Sequence, residues 1–494
     1  MTDKINSIIK KIYLSKWFVG LIILIGAAAR IRQYIFNRSL WGDEAALALN
    51  IIKRGYLDLF KPLDNSQAAP SLFLLATKFL TGIFGYSEYV LRFIPILASI
   101  ISILLFWYLA NKVFDKYMVP IAVGLLAFGG SAIYYSDEFK QYPVDVMVTI
   151  IILILAFNVY KNNFNLKSSL IFGGVGSILI WLSHTSVFIL SAVTVSLFLS
   201  VFINEKFKSI KKISYIVYAA LIWGISFLAD YFFIVRATAH SGLYTFWASY
   251  FAPMPIRSMG DLQWYSETLF TAIKIPISIY FPGIVIFLLF AGFVGFFKKK
   301  GKLFFFALLF TFIFLLAASM LKAYPIYERF ILFTLPVFYL LIAGGIEELS
   351  TNTNKKSVII IVFLVLLIFI QPFGSTARSF VQPKLRTETK PLVEHILKNW
   401  SEGDLVYVYY TSKYPFLYYA RDEKIEYILG VESRDDTEKY IKEIGSLDGR
   451  GRIWFLSGPV YGDELGLYLK KLNEMGKQLK HIEAFGANLY LYEI

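Results

Sequence analysis

Apolar runs close to the length that crosses a bilayer recur along this chain and leave few ways to fold it. We read eleven, at about 17–36, 88–110, 117–135, 142–160, 168–183, 187–204, 213–235, 276–297, 303–321, 330–349 and 357–373, because a spanning helix needs roughly 20 apolar residues. A hydrophobic content of 57% and a mean hydropathy of +0.59 exceed what a soluble enzyme carries. The expected architecture is a polytopic α-helical membrane protein. Ser71 to Phe84 is also apolar but too short to span. It is expected to lie on the outer surface.

Lysines orient these spans. Lys4, Lys10, Lys11 and Lys16 precede the first run, so the positive-inside rule puts the N-terminus in the cytoplasm and makes the first run a signal anchor. Eleven spans then place Lys112 and Lys116, Lys161 and Lys167, Lys206 to Lys212, Lys298 to Lys302, and Lys355 with Lys356 on the inner side. The formal charge of +14 therefore reads as topology and contact with anionic lipid, and a nucleic-acid partner is excluded.

From about Gly374 the apolar runs stop. Residues 374–494 are expected to form an α/β domain on the extracytoplasmic side, with strands at 404–410, 424–429 and 452–458 and helices at 389–400, 433–446 and 463–477. The chain has no cysteine, which removes disulfide and thiolate-metal readings.

The polar residues at the outer ends of the spans carry the chemistry. SLWGDEAALALN puts Asp43 and Glu44 just beyond the first span, in the first outer loop, 37–87. YYSDEFKQYPVD brings Asp137, Glu138, Lys140 and Tyr142, SHTS brings His184, and YPIYERF brings Glu328 and Arg329. Ionisable groups at membrane depth are costly, so function is the default reading. Structural alternatives stand beside it. Asp43 and Glu44 suit a helix N-terminus, Lys140 and Arg329 suit interfacial anchoring, and His184 suits a satisfied turn. Glu88 and Arg92, four apart, are expected to pair on one helix face. Arg30, Asp145 and Asp230 sit inside spans, where buried pairing is expected.

Outward carboxylates, outward cations and a lipid environment suit sugar transfer from a polyprenyl-phosphate carrier. A carboxylate takes the proton of an acceptor hydroxyl while cations stabilise the leaving phosphate. A helix N-terminus would keep that carboxylate ionised. Carboxylates with His184 are chemically able to bind a divalent ion, but no ligand spacing demands one.

At these residues the sequence resembles the GT-C membrane glycosyltransferases, specifically the family-39-like branch related to protein O-mannosyltransferases and aminoarabinose transferases. The resemblance rests on SLWGDEA, QAAPSLFLL followed by GYSEYVLRFIP, YYSDEFKQYPVDV, SHTSVF, YERFILFTLPV and the terminal GANLYLYEI. It implies an inverting transfer with Asp43 as base, Glu44 in support, and an extracytoplasmic cavity that Glu138, Tyr142 and His184 would line. Many relatives carry His-Pro or Lys-Pro where this chain has Ala69 and Pro70, which leaves Lys140 with Arg329 to contact the donor phosphate. The expected partners are a polyprenyl-phosphate-linked sugar, membrane lipids, and a glycan, lipid or protein acceptor. The alternative is a transporter or flippase of lipid-linked sugars, which needs no base. Transporters are commonly built from internal repeats with mid-span binding sites, whereas here the polar groups gather at one end.

Overall fold

The computed structural model describes residues 16–205, 209–236, 243–351, 355–433 and 436–494. Lys4, Lys10, Lys11, Lys206 and Lys208, which carry part of the orientation argument, lie outside them. The chain is a polytopic helical membrane protein with a C-terminal α/β domain. Among the described residues nine helices are long and apolar enough to cross a membrane, from Lys16–Phe36 to Ser357–Val381. Large side chains such as Ile359, Phe363 and Leu366 stay exposed on the last of these, as lipid-facing residues should.

Each of the eleven expected runs is helical, with corrections. The fifth, Leu166–Leu182, has 17 residues and is short for a span. The eighth starts at Pro282, since a proline at the first helical position sets the boundary. An unexpected amphipathic helix, Met259–Lys274, precedes it. The last runs on through Val381, past the compositional change at Gly374. Ser71–Phe84 is a helix packed on Glu88–Val113.

The third run is broken. Val119–Phe128 and the following helical segment, Gly130–Asp137, meet at a 51° bend. Gly129, at φ −57° and ψ 117°, leaves helical geometry there. A Cβ on it would meet the Tyr339 hydroxyl at 2.8 Å. Carbonyls stripped of helical partners at a break need other donors, and Arg30 supplies them from the first span. Its Nη1 donates to the Ala127 carbonyl at 2.7 Å, its Nη2 to the Leu126 carbonyl at 2.9 Å, and its Nε to Ser99 Oγ at 2.7 Å. The buried pairing expected of Arg30 is made with backbone carbonyls and a serine hydroxyl.

The C-terminal domain holds a five-stranded sheet: β1 (Leu405–Val408), β2 (Glu426–Leu429), β3 (Arg452–Ser457), β4 (Lys477–Ala484) and β5 (Ala487–Glu493), in the order β2-β1-β3-β5-β4. β1 pairs in parallel with β2 and β3, while β3–β5 and β5–β4 are antiparallel. The three expected strands are present. The β4–β5 hairpin, turning at Gly486 with φ +68°, is additional. Lys390–Asn399 and Lys413–Tyr419 pack one face of the sheet through Leu392, Val393 and Phe416. Thr437–Gly445 and Glu464–Met475 pack the other through Tyr440, Ile444 and Tyr468. Every residue of β1 is buried, as a strand covered on both faces requires.

This domain is tied to residues 37–87, between the first two long spans. Glu388 accepts from the Ser39 hydroxyl at 2.8 Å, the Tyr419 hydroxyl accepts from Leu40 N at 2.7 Å, and the Tyr418 hydroxyl donates to the Tyr86 carbonyl at 2.7 Å. The segment after the last span is held at Lys384, whose carbonyl and N–H both bond the Gln33 amide.

Candidate active site

Asp43 sits in the first turn of the Gly42–Lys53 helix. Its side chain is one-third exposed, and its Oδ2 accepts from Arg329 Nη2 at 2.9 Å. Arg329 arrives from the 321–331 connection and lies among aromatic rings: Trp41 at 5.2 Å, Phe330 at 5.5 Å and Trp247 at 5.6 Å. Such faces stabilise a guanidinium without neutralising it. Its Nε is buried without a hydrogen-bond partner.

Glu44, the next residue, points elsewhere. It is fully buried and grips Arg92 through both oxygens, at 2.9 and 2.8 Å, while also accepting from Phe139 N at 2.6 Å. Burial raises its pKa, but the Arg92 charge and hydrogen bonds, Arg38 and the Phe139 N–H together hold it below the ordinary 4.5. Glu44 thus locks the 135–141 loop onto the second span. The expected Glu88–Arg92 pair does not form. Glu88 faces Lys390 Nζ at 2.8 Å instead, because tertiary partners won over the weak helical one.

The loop so held presents Asp137, Glu138 and Lys140, all buried. Asp137 lies 3.6 Å from Arg38 Nε and 3.9 Å from Arg92 Nε. Glu138 lies 3.2 Å from Arg386 Nη1 and 3.8 Å from Arg38 Nη2. Lys140 Nζ donates to Gln67 Oε1 at 2.5 Å, close in sequence to the Ala69 and Pro70 departure. Among the described residues it is the one cation of this cluster without a carboxylate within salt-bridge distance. Its burial lowers its pKa, partly opposed by Asp43 and reinforced by Arg329. Tyr142 is buried between Tyr135 and Phe330.

Sequence reasoning missed Arg386, on the segment joining the last span to the sheet domain. Its guanidinium lies 3.2 Å from the Trp41 ring centroid, so Arg386 and Arg329 share that ring. Arg38 and Gln67 were missed too. An arginine in an irregular connection carries no periodic signal, and only SLWGDEA beside Arg38 marked the neighbourhood. The cluster holds the carboxylates Asp43, Glu44, Asp137 and Glu138 against the cations Arg38, Arg92, Lys140, Arg329 and Arg386. These groups leave a surplus of positive charge, which suits an anionic ligand.

His184 stands with a different set. Its Nε2 is 3.5 Å from Asp230 Oδ1, and the neighbouring Ser183 hydroxyl donates to Asp145 Oδ1 at 2.6 Å. Asp145 and Asp230 are thereby buried beside polar partners, as expected for carboxylates inside spans. Among the described residues no group of three or more His, Asp or Glu side chains converges to hold a metal ion.

No protein-family model matches the sequence, and no curated protein matches it significantly. Solved structures do match. ArnT from Cupriavidus metallidurans bound to undecaprenyl phosphate aligns over 96% of this chain and 98% of its own, with 11% identity and a TM-score of 0.56. The Archaeoglobus fulgidus oligosaccharyltransferase AglB, in complex with an inhibitory peptide and a dolichol-phosphate, aligns over 96% of this chain and 74% of its own, with 12% identity and a TM-score of 0.53. The same archaeal enzyme in its apo form gives 12% identity and a TM-score of 0.55, over 97% and 75%. From the first span to the terminal hairpin, this chain takes the GT-C fold of the membrane glycosyltransferases.

Proposed function

We propose that the chain is a glycosyltransferase that moves a sugar from a polyprenyl-phosphate donor to an acceptor hydroxyl at the outer face of the cell membrane. The observation that carries this reading is the Asp43–Arg329 pair, a partly exposed carboxylate set against a guanidinium at the edge of a buried, positively biased cluster. The likeness to structures holding undecaprenyl phosphate and dolichol-phosphate supports the donor class.

In this mechanism the donor phosphate enters beside Arg329 and Lys140. Arg329 turns part of its fork from Asp43 to the phosphate, a geometry guanidinium suits, and Asp43 becomes free to accept a proton. The acceptor oxygen then bonds to the anomeric carbon as the carbon–oxygen bond to phosphate breaks. The bonding pair leaves on the polyprenyl phosphate, where the cations stabilise it. The acceptor's proton passes to Asp43. Glu44 acts by positioning, through Arg92 and Phe139. The membrane unit carries the chemistry, and the C-terminal domain stands over it on the same side.

The test is turnover of a polyprenyl-phosphate sugar by the purified protein in nanodiscs. Asp43→Asn keeps the volume and removes the proton acceptor, so transfer should fall by about 10²-fold or more while donor lipid still binds. Near-parental transfer would exclude Asp43 as base.

A further inference from the structure

Among the described residues, Met259–Lys274 leaves the apolar side of an amphipathic helix uncovered. Met259, Leu262, Leu269, Phe270 and Ile273 recur at helical spacing on one face, and Asp261, Glu267, Thr268 and Thr271 lie on the opposite side. Of the five apolar residues only Ile273 is buried, while Met259 is 79% exposed, Leu262 49% and Phe270 43%. The helix starts without help from packing because it caps itself. The Ser258 hydroxyl accepts from Asp261 N at 3.2 Å, and the Asp261 carboxylate accepts from Ser258 N at 2.8 Å.

Neighbouring contacts set the level of this helix. The Lys274 carbonyl accepts from Gln371 Nε2 at 3.1 Å. Gln371 belongs to the last span, where Ile370 and Phe373 beside it stand exposed as lipid-facing side chains. The C-terminal end of the helix is therefore level with residues that face lipid. Just beyond it Pro282–Gly295 opens the next span, and Phe287 and Phe290 continue the exposed apolar surface. The remaining ties come from the polar side and the flank. Trp264, pointing away from the apolar face, donates from Nε1 to the Ser249 carbonyl at 2.9 Å, and the Tyr265 hydroxyl donates to the Pro253 carbonyl at 2.7 Å.

Charge says which kind of surface fits. Asp261 and Glu267 stand against Lys274, and Arg257 just ahead makes the segment neutral. A basic polar face, which anionic headgroups would attract, is missing here. What the helix offers is apolar area.

We infer that Met259–Lys274 docks on the membrane leaflet nearest the candidate site, with its apolar face sunk about 5–10 Å into the boundary between headgroups and acyl chains. It is held there by acyl chains and not by headgroup charge. The segment 247–253 that grips the helix also reaches the site, since the Trp247 ring lies 5.6 Å from the Arg329 guanidinium and the Tyr250 carbonyl accepts from Ile326 N at 2.8 Å. Lipid thereby steadies the aromatic side of the Arg329 surroundings.

The chain has no cysteine, so Leu262→Cys, Phe270→Cys, Glu267→Cys and Thr271→Cys each carry a single nitroxide label in the full-length protein. In phosphatidylcholine nanodiscs, power-saturation EPR compares relaxation by oxygen, which concentrates in lipid, with relaxation by nickel–EDDA, which stays in water. The oxygen-to-nickel ratio should exceed one at positions 262 and 270 and fall below one at 267 and 271. Adding phosphatidylglycerol should leave all four ratios unchanged. Nickel-dominated relaxation at 262 and 270 puts that face in water and overturns the inference. Weak relaxation by both reagents there means that protein, a second copy included, covers the face, and overturns it as well. Ratios that rise above one only when phosphatidylglycerol is present overturn docking by acyl chains.

Discussion

Arg92 holds both oxygens of Glu44, Nε on Oε1 at 2.9 Å and Nη2 on Oε2 at 2.8 Å, fully buried and 48 positions apart in sequence. Removing one member of a buried pair strands the other, at about 3–5 kcal/mol. Glu44→Ala and Arg92→Leu should therefore lower the unfolding temperature in detergent sharply, and Glu44→Gln less so. Transfer by the folded fraction of Glu44→Gln should exceed that of Asp43→Asn. The reverse order would reassign the base to Glu44.

The same pair sets an acid limit. Glu44 is held below its ordinary value in the folded protein, so its contribution to stability is fully present above about pH 4.5. It is lost as pH falls through the depressed folded value. Unfolding followed against pH should show an acid shoulder that Glu44→Gln abolishes.

Arg329 and Lys140 should separate by geometry. If both hold the donor phosphate, Arg329→Met and Lys140→Met each weaken binding of undecaprenyl phosphate. Arg329→Lys should also be costly, since the bidentate fork is lost. An interfacial anchor would tolerate that exchange. Donor binding by purified variants in nanodiscs decides, and parental affinity in both Met variants removes the phosphate assignment.

Lys140 also predicts an alkaline limit. Its ammonium loses its proton below the ordinary lysine value of 10.5 because burial penalises the charge. The phosphate contact exists only in the protonated form. Donor affinity should therefore fall as pH rises through that lowered value, and Lys140→Arg should remove the fall.

Topology can be read chemically in this cysteine-free chain. Cysteines replacing the exposed Ser401 or Ser446 should react with an impermeant thiol reagent in intact cells, and one replacing the exposed Lys116 should react only after lysis. Labelling of the first two only after lysis would overturn the outward C-terminal domain. Ser457 would be uninformative, being buried in β3.

The spans were legible because each is a long apolar run, and β1, β2 and β3 because β-branched and aromatic residues cluster there. The break in the third span was less visible, although the Gly129–Gly130 pair was its signal. The hairpin could have been found from the alternation of NLYLYE around Gly486. At the site, Asp43, Lys140 and Arg329 stood out as charges at span ends. Their arrangement did not, since Arg329 meets Asp43 across 286 residues and no local pattern encodes such a meeting. The i, i+4 spacing of Glu88 and Arg92 misled for the same reason. A helical pair worth about 0.2–0.5 kcal/mol yields to a buried bidentate contact.

Arg30 has a consequence for how the chain is made. Its carbonyl partners lie 96 and 97 positions further on, so at about 5–20 residues per second the first span waits roughly 5 to 20 seconds for them. Through that interval Arg30, in the last third of the Lys16–Phe36 helix, has no carbonyl acceptor of its own beyond Gly26, and a charge left in hydrocarbon costs up to about 2.5–3.5 kcal/mol, the figure for a helix centre. The first span therefore gains its remaining polar partners only when the broken third helix emerges.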